Sequence, residues 1–398
     1  HGPYTVTKYG MSMLTLGMSE EFKKYGISVN SLWPKTMIAT AAIEFELGSR
    51  DAFKRARTPA IMADAAHTIL ASQGRSITGR LLIDEDLLRE RGVTDFEQYR
   101  FDPAGGTLIP DLFADPTIVN FNGRYYCYGT TDGAGQGLAT SGVPVVWTSD
   151  DFRSWTLHGP IVDPDFDAKW WAPSNAIYRN GRYYIFPTLD NRITVLVADS
   201  PLGPFRTPDG RRITKTSGWK QMDIQVGHPI DAELYEHPDG SIWMAWSQRY
   251  ICRLSDDFTQ LRGKPLEIPT GQKGYSEGPI LFERKGKLYY LYTLDGSERY
   301  HYAYMVSPSG SPEGPWVKPV RDIIAITDVK AGIIGPGHGC VINHPGTDKW
   351  SFVHLEFGRS GTNRQIVSQD MTFDTDGWIV PIKLTGQQEP LSKKTSFG

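Results

Sequence analysis

Asn122-Gly-Arg-Tyr-Tyr-Cys-Tyr-Gly-Thr130 sets a small-residue turn directly before an aromatic, strand-forming run. Four more stretches share this form: Asn180-Gly-Arg-Tyr-Tyr-Ile-Phe-Pro-Thr188, Asp239-Gly-Ser-Ile-Trp-Met-Ala-Trp-Ser247, Lys285-Gly-Lys-Leu-Tyr-Tyr-Leu-Tyr-Thr293 and the more degraded Thr347-Asp-Lys-Trp-Ser-Phe-Val-His-Leu355. Successive starts lie 58, 59, 46 and 62 residues apart, enough each time for a four-stranded sheet with its loops. A second, Ser/Asp-rich signature ending in an aromatic residue alternates with the first, as in Trp147-Thr-Ser-Asp-Asp-Phe-Arg-Ser-Trp155 and Leu254-Ser-Asp-Asp-Phe258. Five copies of two alternating signatures favour a five-bladed β-propeller over a sandwich, in which no such phase is expected.

The repeats also locate acidic residues. Asp115, Asp231 and Glu277 each sit seven or eight positions ahead of the turn that opens their repeat. All three have apolar, Gly or Pro neighbours: Phe113-Ala-Asp-Pro116, Pro229-Ile-Asp-Ala232 and Ser276-Glu-Gly-Pro279. Any one alone reads as a turn-forming acid. Three in the same phase point to a shared site, because equivalent positions of a radial repeat converge on one channel mouth. Trp171 and His338 belong to the same convergence. Three acids around a channel suit glycoside hydrolysis: one carboxylate acts on water or the anomeric carbon, and one carboxylic acid protonates the leaving oxygen. The third holds the acid protonated by like-charge repulsion.

Composition is consistent with a globular chain of two domains. It has 398 residues, 39% hydrophobic and 22% charged, and no apolar run approaches membrane-spanning length. A net charge of −3 argues against a nucleic-acid partner, which calls for a basic face. Cys127, Cys252 and Cys340 form no CxxC pair and no disulfide framework, and Cys127 lies inside an expected strand. The chain opens His1-Gly-Pro-Tyr4, with no basic and apolar leader, and reads like the interior of a longer reading frame.

Residues 1–105 have another character. Tyr4 to Tyr25 reads as a helix stopped by Gly26, Ile27 to Trp33 as a short strand ended by Pro34, about 40–73 as helix-rich, and Gly79 to Asp84 as a buried strand. That order belongs to an α/β layer. Tyr4 and Lys8, four apart, share a helix face, and a nearby ammonium lets a phenol act as acid or base. The stretch from Tyr4 through Trp33-Pro-Lys-Thr36 to Asp84-Glu-Asp86 resembles the C-terminal half of a hydroxysteroid-dehydrogenase-like short-chain dehydrogenase/reductase. That family's Gly-rich nucleotide turn and catalytic Ser lie upstream of its Tyr, and only three residues precede Tyr4 here. A truncated Rossmann-type fragment without catalysis is therefore expected, with a junction near 101–110 and the propeller domain over 106–398.

Residues 111–390 resemble glycoside hydrolase family 43. The matching pieces are Ala114-Asp-Pro116, Trp171-Ala-Pro173, Ile230-Asp-Ala-Glu-Leu-Tyr235, Ser276-Glu-Gly-Pro279, Gly335-Pro-Gly-His338 and Asp376-Gly-Trp378. The resemblance implies an inverting arabinofuranosidase or xylosidase, with Asp115 as general base, Asp231 as modulator and orienter, and Glu277 as general acid. Inversion sets the base and acid roughly 6.5–9.5 Å apart to admit a water. The resemblance further implies sugar contacts from His338 and Arg364, stacking on Trp171 with Trp170 pointing elsewhere, no required cofactor, and a secreted or periplasmic location. It also allows a calcium ion near His338, held through waters, although no Asp-rich loop offers an obvious ligand set. Loops around 132–142 and 163–171 are expected to wall the pocket. Three rival readings stand beside this one: a sugar-binding propeller without turnover, an NAD(P)-dependent oxidoreductase acting through Tyr4 and Lys8, and a related five-bladed family with another sugar specificity.

Overall fold

A computed structural model describes residues 2–38, 40, 56–72, 76–94, 96, 99, 108–109, 112–132, 141–357 and 364–384. The chain divides into two compact units, His1–Gly106 and Thr107–Gly398.

In the first unit, helix α1 (Gly2–Phe22) runs into a 3-10 turn, Lys23–Tyr25. It stops at Gly26, whose φ of 75° lets its N–H turn back to the Lys23 carbonyl. Strand β1 (Ser31–Trp33) pairs in parallel with β2 (Leu81–Ile83), Leu32 opposite Leu82. Helices α2 (Ala60–Leu70) and α3 (Asp84–Glu90) pack Ile61, Ala65, Leu87 and Leu88 around Leu82 and Phe96. The two motifs singled out in this unit tie these elements together. Buried Asp84 accepts the Lys35 N–H at 2.9 Å, and the Lys35 ammonium reaches Glu85 and Asp86 at 3.3 and 2.9 Å. The Lys8 ammonium lies 5.6 Å from the Trp33 ring centroid. The Tyr4 side chain and much of the helix expected over 40–73 lie outside the described residues.

The second unit is mainly β, and among its described residues no α-helix occurs. Four of its sheets are antiparallel meanders in chain order. The first is β3 (Phe113–Phe121), β4 (Arg124–Thr131), β5 (Val145–Ser149) and β6 (Thr156–Pro160). The stretch that follows forms two three-stranded sheets. One joins β7 (Trp170–Trp171), β10 (Thr188–Leu189) and β11 (Arg192–Ile193); the other joins β8 (Ile177–Arg179), β9 (Arg182–Ile185) and β12 (Leu196–Ala198). Meanders then resume with β13 (Glu233–Glu236), β14 (Ile242–Trp246), β15 (Tyr250–Leu254) and β16 (Leu261–Glu267), and with β17 (Ile280–Arg284), β18 (Lys287–Leu294), β19 (His301–Ser307) and β20 (Ile323–Ile326). The last sheet is β21 (Gly337–Asn343), β22 (Trp350–Phe357) and β23 (Arg364–Met371).

The turn that opens each repeat is the hairpin between a first and a second strand. Asn122 and Gly123 take φ of 54° and 88°, and Asn180 and Gly181 take 51° and 81°, the paired positive values of a tight hairpin turn. The repeat at 180–188 departs from a single strand. Pro187 has no N–H to give a ladder, so β9 ends at Ile185 and β10 starts at Thr188.

Each major apolar cluster is shared by neighbouring sheets. Tyr128 and Val146 pack with Ile185 and Leu196, and Phe186 with Leu234, Met244 and Trp246. Ala245 and Ile251 meet Leu281 and Tyr290, while Ile280 and Leu291 meet Phe352 and Met371. The last sheet returns to the first: Cys340, Ile342 and Val353 pack on Phe113, Ile118 and Cys127. All three cysteines are buried free thiols.

Candidate active site

The three acids stand at the starts of first strands, where backbone geometry is unusual. Asp115 lies in a bulge of β3, between the paired residues Ala114 and Thr117, with φ of 48°. Asp231, just before β13, has φ of 58°. Positive φ in a residue with a side chain is costly and concentrates at functional sites. Both carboxylates are buried. Glu277 sits three residues before β17 and borders an open cleft of about 640 Å³ also lined by Tyr275, Asp295, Ser297 and Tyr300.

Hydroxyls at the last position of the aromatic repeats hold these acids. Thr130 donates to Asp115 Oδ2 at 2.6 Å and accepts the Ala172 N–H at 2.9 Å. Thr188 accepts the Asp231 N–H at 3.0 Å, and Ser247 donates to Asp231 Oδ2 at 3.2 Å. Thr293 both accepts the Glu277 N–H and donates to its carbonyl. The sequence reading passed over these residues. The signal for them was present: four of the five quoted repeats end in Thr or Ser.

His338 is the buried hub. Its Nδ1 lies 3.7 Å from Asp115 Oδ1 and 3.8 Å from Asp231 Oδ2. Glycines on two segments let the backbone approach this closely: a Cβ on Gly339 would run into the Val353 carbonyl, and one on Gly278 would come within 2.9 Å of His338. The Tyr302 hydroxyl joins the two segments, accepting from Gly339 N and donating to the Gly278 carbonyl.

Arg364, at the start of β23, is buried and spends its guanidinium on carboxylates. Nε and Nη2 donate to the two oxygens of Asp132 at 2.8 and 2.9 Å, and Nη1 donates to Asp115 Oδ1 at 3.0 Å. In the sequence Asp132 marks only a loop boundary; its partner lies 232 residues away. Trp171 is half-buried, with the Lys169 ammonium 5.9 Å from its ring, whereas Trp170 is fully buried and donates to the Gly129 carbonyl. Residues 133–140, within one expected pocket loop, lie outside the described residues.

Burial, then the Asp115 charge, raises the Asp231 carboxyl to about 7. Burial, then the Asp231 charge, raises Glu277 to about 8, against the hydrogen bond that the Tyr275 hydroxyl donates to its Oε2. Burial lowers the His338 imidazole, favouring its neutral form. Near neutral pH, Glu277 therefore carries a proton it can give away, the property a general acid needs.

A calcium ion needs several oxygen ligands. Around His338 the Asp115 and Asp231 oxygens already accept from Arg364, Thr130, Ser247 and Gly278, and Arg364 supplies a fixed positive charge. Among the described residues no three His, Cys, Asp or Glu side chains converge as a directly held metal requires. The side chains present do not fit a directly coordinated calcium.

The family model of glycosyl hydrolases family 43 matches residues 107–379, well over half of the sequence, and the chain belongs to that family. A solved structure described as a glycoside hydrolase is 45% identical, with a TM-score of 0.67 over 72% of this chain and 65% of its own. An endo-1,4-beta-xylanase from Bacteroides thetaiotaomicron shares the fold at 22% identity, TM-score 0.57, over 71% of this chain and 97% of its own. Over 115 residues, 29% of the chain, the sequence is 52% identical to hydroxysteroid dehydrogenase-like protein 2 of Xenopus tropicalis. The chain spans about a quarter of the length of the curated relatives it matches, 27% in that case.

Proposed function

We propose that residues 107–398 form a five-bladed propeller that hydrolyses arabinofuranosyl or xylosyl linkages of plant-type saccharides with inversion. Support for five blades comes from the five aromatic repeats and from the packing of each sheet, last on first included, against its neighbours. In this reading Glu277 protonates the leaving glycosidic oxygen from the cleft side. Asp115 takes a proton from the attacking water, and Asp231 keeps Glu277 protonated. His338 and Trp171 contact the sugar. No step runs through a metal or cofactor. The single observation that carries the reading is the gathering of Asp115 and Asp231 on one buried histidine, next to a carboxyl raised to about 8.

We read the first unit as part of a Rossmann-type α/β layer like that of a short-chain dehydrogenase/reductase. There Asp84 accepts the Lys35 N–H, and the Lys35 ammonium pairs with Glu85 and Asp86.

Release of nitrophenol from nitrophenyl α-L-arabinofuranoside and β-D-xyloside, with Glu277→Gln beside the wild type, tests the glycosidase. Equal rates for the two proteins would sink it and favour a sugar-binding propeller. A nicotinamide-cofactor titration is expected to show no binding.

A further inference from the structure

We propose that Asp132 is a positioning residue for the reaction: it occupies the fork of Arg364 so that a single guanidinium N–H reaches Asp115. This rests on the reading of Asp115 as the base.

The end of β4 supplies both supports of that base. Thr130 bonds one oxygen of Asp115, and Asp132 holds the arginine that bonds the other. Residues two apart on extended backbone face the same way. The ladder does continue to this point, since the Asp132 N–H donates to the Leu112 carbonyl at 3.0 Å. The Asp132 side chain is 2% exposed, and both its oxygens accept from Arg364. Parallel double bonding is the preferred arrangement of guanidinium and carboxylate. With Asp132 taking that arrangement, Asp115 receives one bond from Arg364 and one from Thr130, and its remaining lone pairs stay available to a water. Without the Asp132 charge, the fork would turn onto Asp115 and engage both its oxygens, leaving a poorer and misaimed base.

The test compares Asp132→Asn, Asp132→Glu, Arg364→Gln and the Asp132→Asn/Arg364→Gln double variant on nitrophenyl arabinofuranoside and xyloside. Misplacement of a reacting group by about 1 Å costs about 100-fold. Asp132→Asn is expected to lose about 10–100-fold in kcat with KM changed less than about threefold. Asp132→Glu, which keeps the carboxylate, should recover part of that loss. The double variant should be no slower than Arg364→Gln alone, because the two residues act in series. A crystal structure of Asp132→Asn, or of Asp132→Glu where the first does not fold, should show Arg364 displaced relative to Asp115. Additive losses, a lower Tm with kcat retained, or an Arg364 left in place would each overturn the proposal. If the wild type turns over neither substrate, the glycosidase reading fails by itself, and the Arg364 position in the variant crystal still decides the role of Asp132.

Discussion

The backbone N–H of Gly278 points at Asp231 Oδ2 across 3.4 Å, so Asp231 is tied to the residue that directly follows Glu277. After burial, the Asp231 charge is the largest influence that raises Glu277.

The first consequence is kinetic. A general acid works only while protonated, and Glu277 is raised to about 8. The kcat/KM profile should therefore fall on its basic side near pH 8 in the free enzyme. Glu277→Gln should remove that limb and cost about 10²–10⁴-fold, with the greater loss on saccharide leaving groups, which need the proton more than nitrophenol does. A basic limb unchanged in the variant would remove Glu277 from the role.

Stability should respond in the same pH range. A carboxyl raised on folding binds more protons in the folded state. The stability it contributes is complete below its unfolded value, near 4.5, and drains as pH climbs through about 8. Glu277→Gln lacks this slope. Between pH 5 and 8.5 the wild type should lose about 1–3 kcal/mol relative to the variant, the open cleft screening the rest. Thermal melts at both pH values check this, and parallel curves for the two proteins would contradict it.

Thr130→Val tests the hydroxyl supports. It deletes the donor to Asp115 Oδ2 and leaves the Ala172 N–H without its acceptor. The expected stability cost is about 1–3 kcal/mol, with kcat down about tenfold. Denaturant titration and steady-state kinetics read the two effects separately.

For Trp171, stacking on the sugar predicts that Trp171→Ala raises KM more than it lowers kcat, by about 3–10-fold, the equivalent of one aromatic contact of about 0.5–1.5 kcal/mol. A drop in kcat alone would move Trp171 out of the binding role.

Much of this was legible in the sequence because the repeats act as a ruler. The turns at Asn122 and Asn180 need residues that tolerate positive φ, and aromatic strands follow them. The approach of Asp115 and Asp231 to His338 follows the same ruler, since Asp115, Asp231 and Glu277 each sit seven or eight positions ahead of a turn. Apart from the Thr and Ser residues that close the repeats, what escaped had no such signature. Asp132 matters only because β23 brings Arg364 to the end of β4 from 232 residues away. The two-part sheet was hidden because Pro187 removes a single N–H from an otherwise convincing strand. Arg364 itself, expected to touch sugar, has its donors directed at Asp132 and Asp115, a pairing visible only in three dimensions.

With Asp115 as base and Glu277 as acid, hydrolysis should invert the anomeric carbon. Proton NMR of the anomeric region during the first minutes of hydrolysis, on an aryl α-L-arabinofuranoside or aryl β-D-xyloside, tests it most directly. The first sugar to appear should have the configuration opposite to its substrate, β-arabinose or α-xylose, before mutarotation mixes the anomers. First release of the retained anomer, or no release from either substrate, would contradict it.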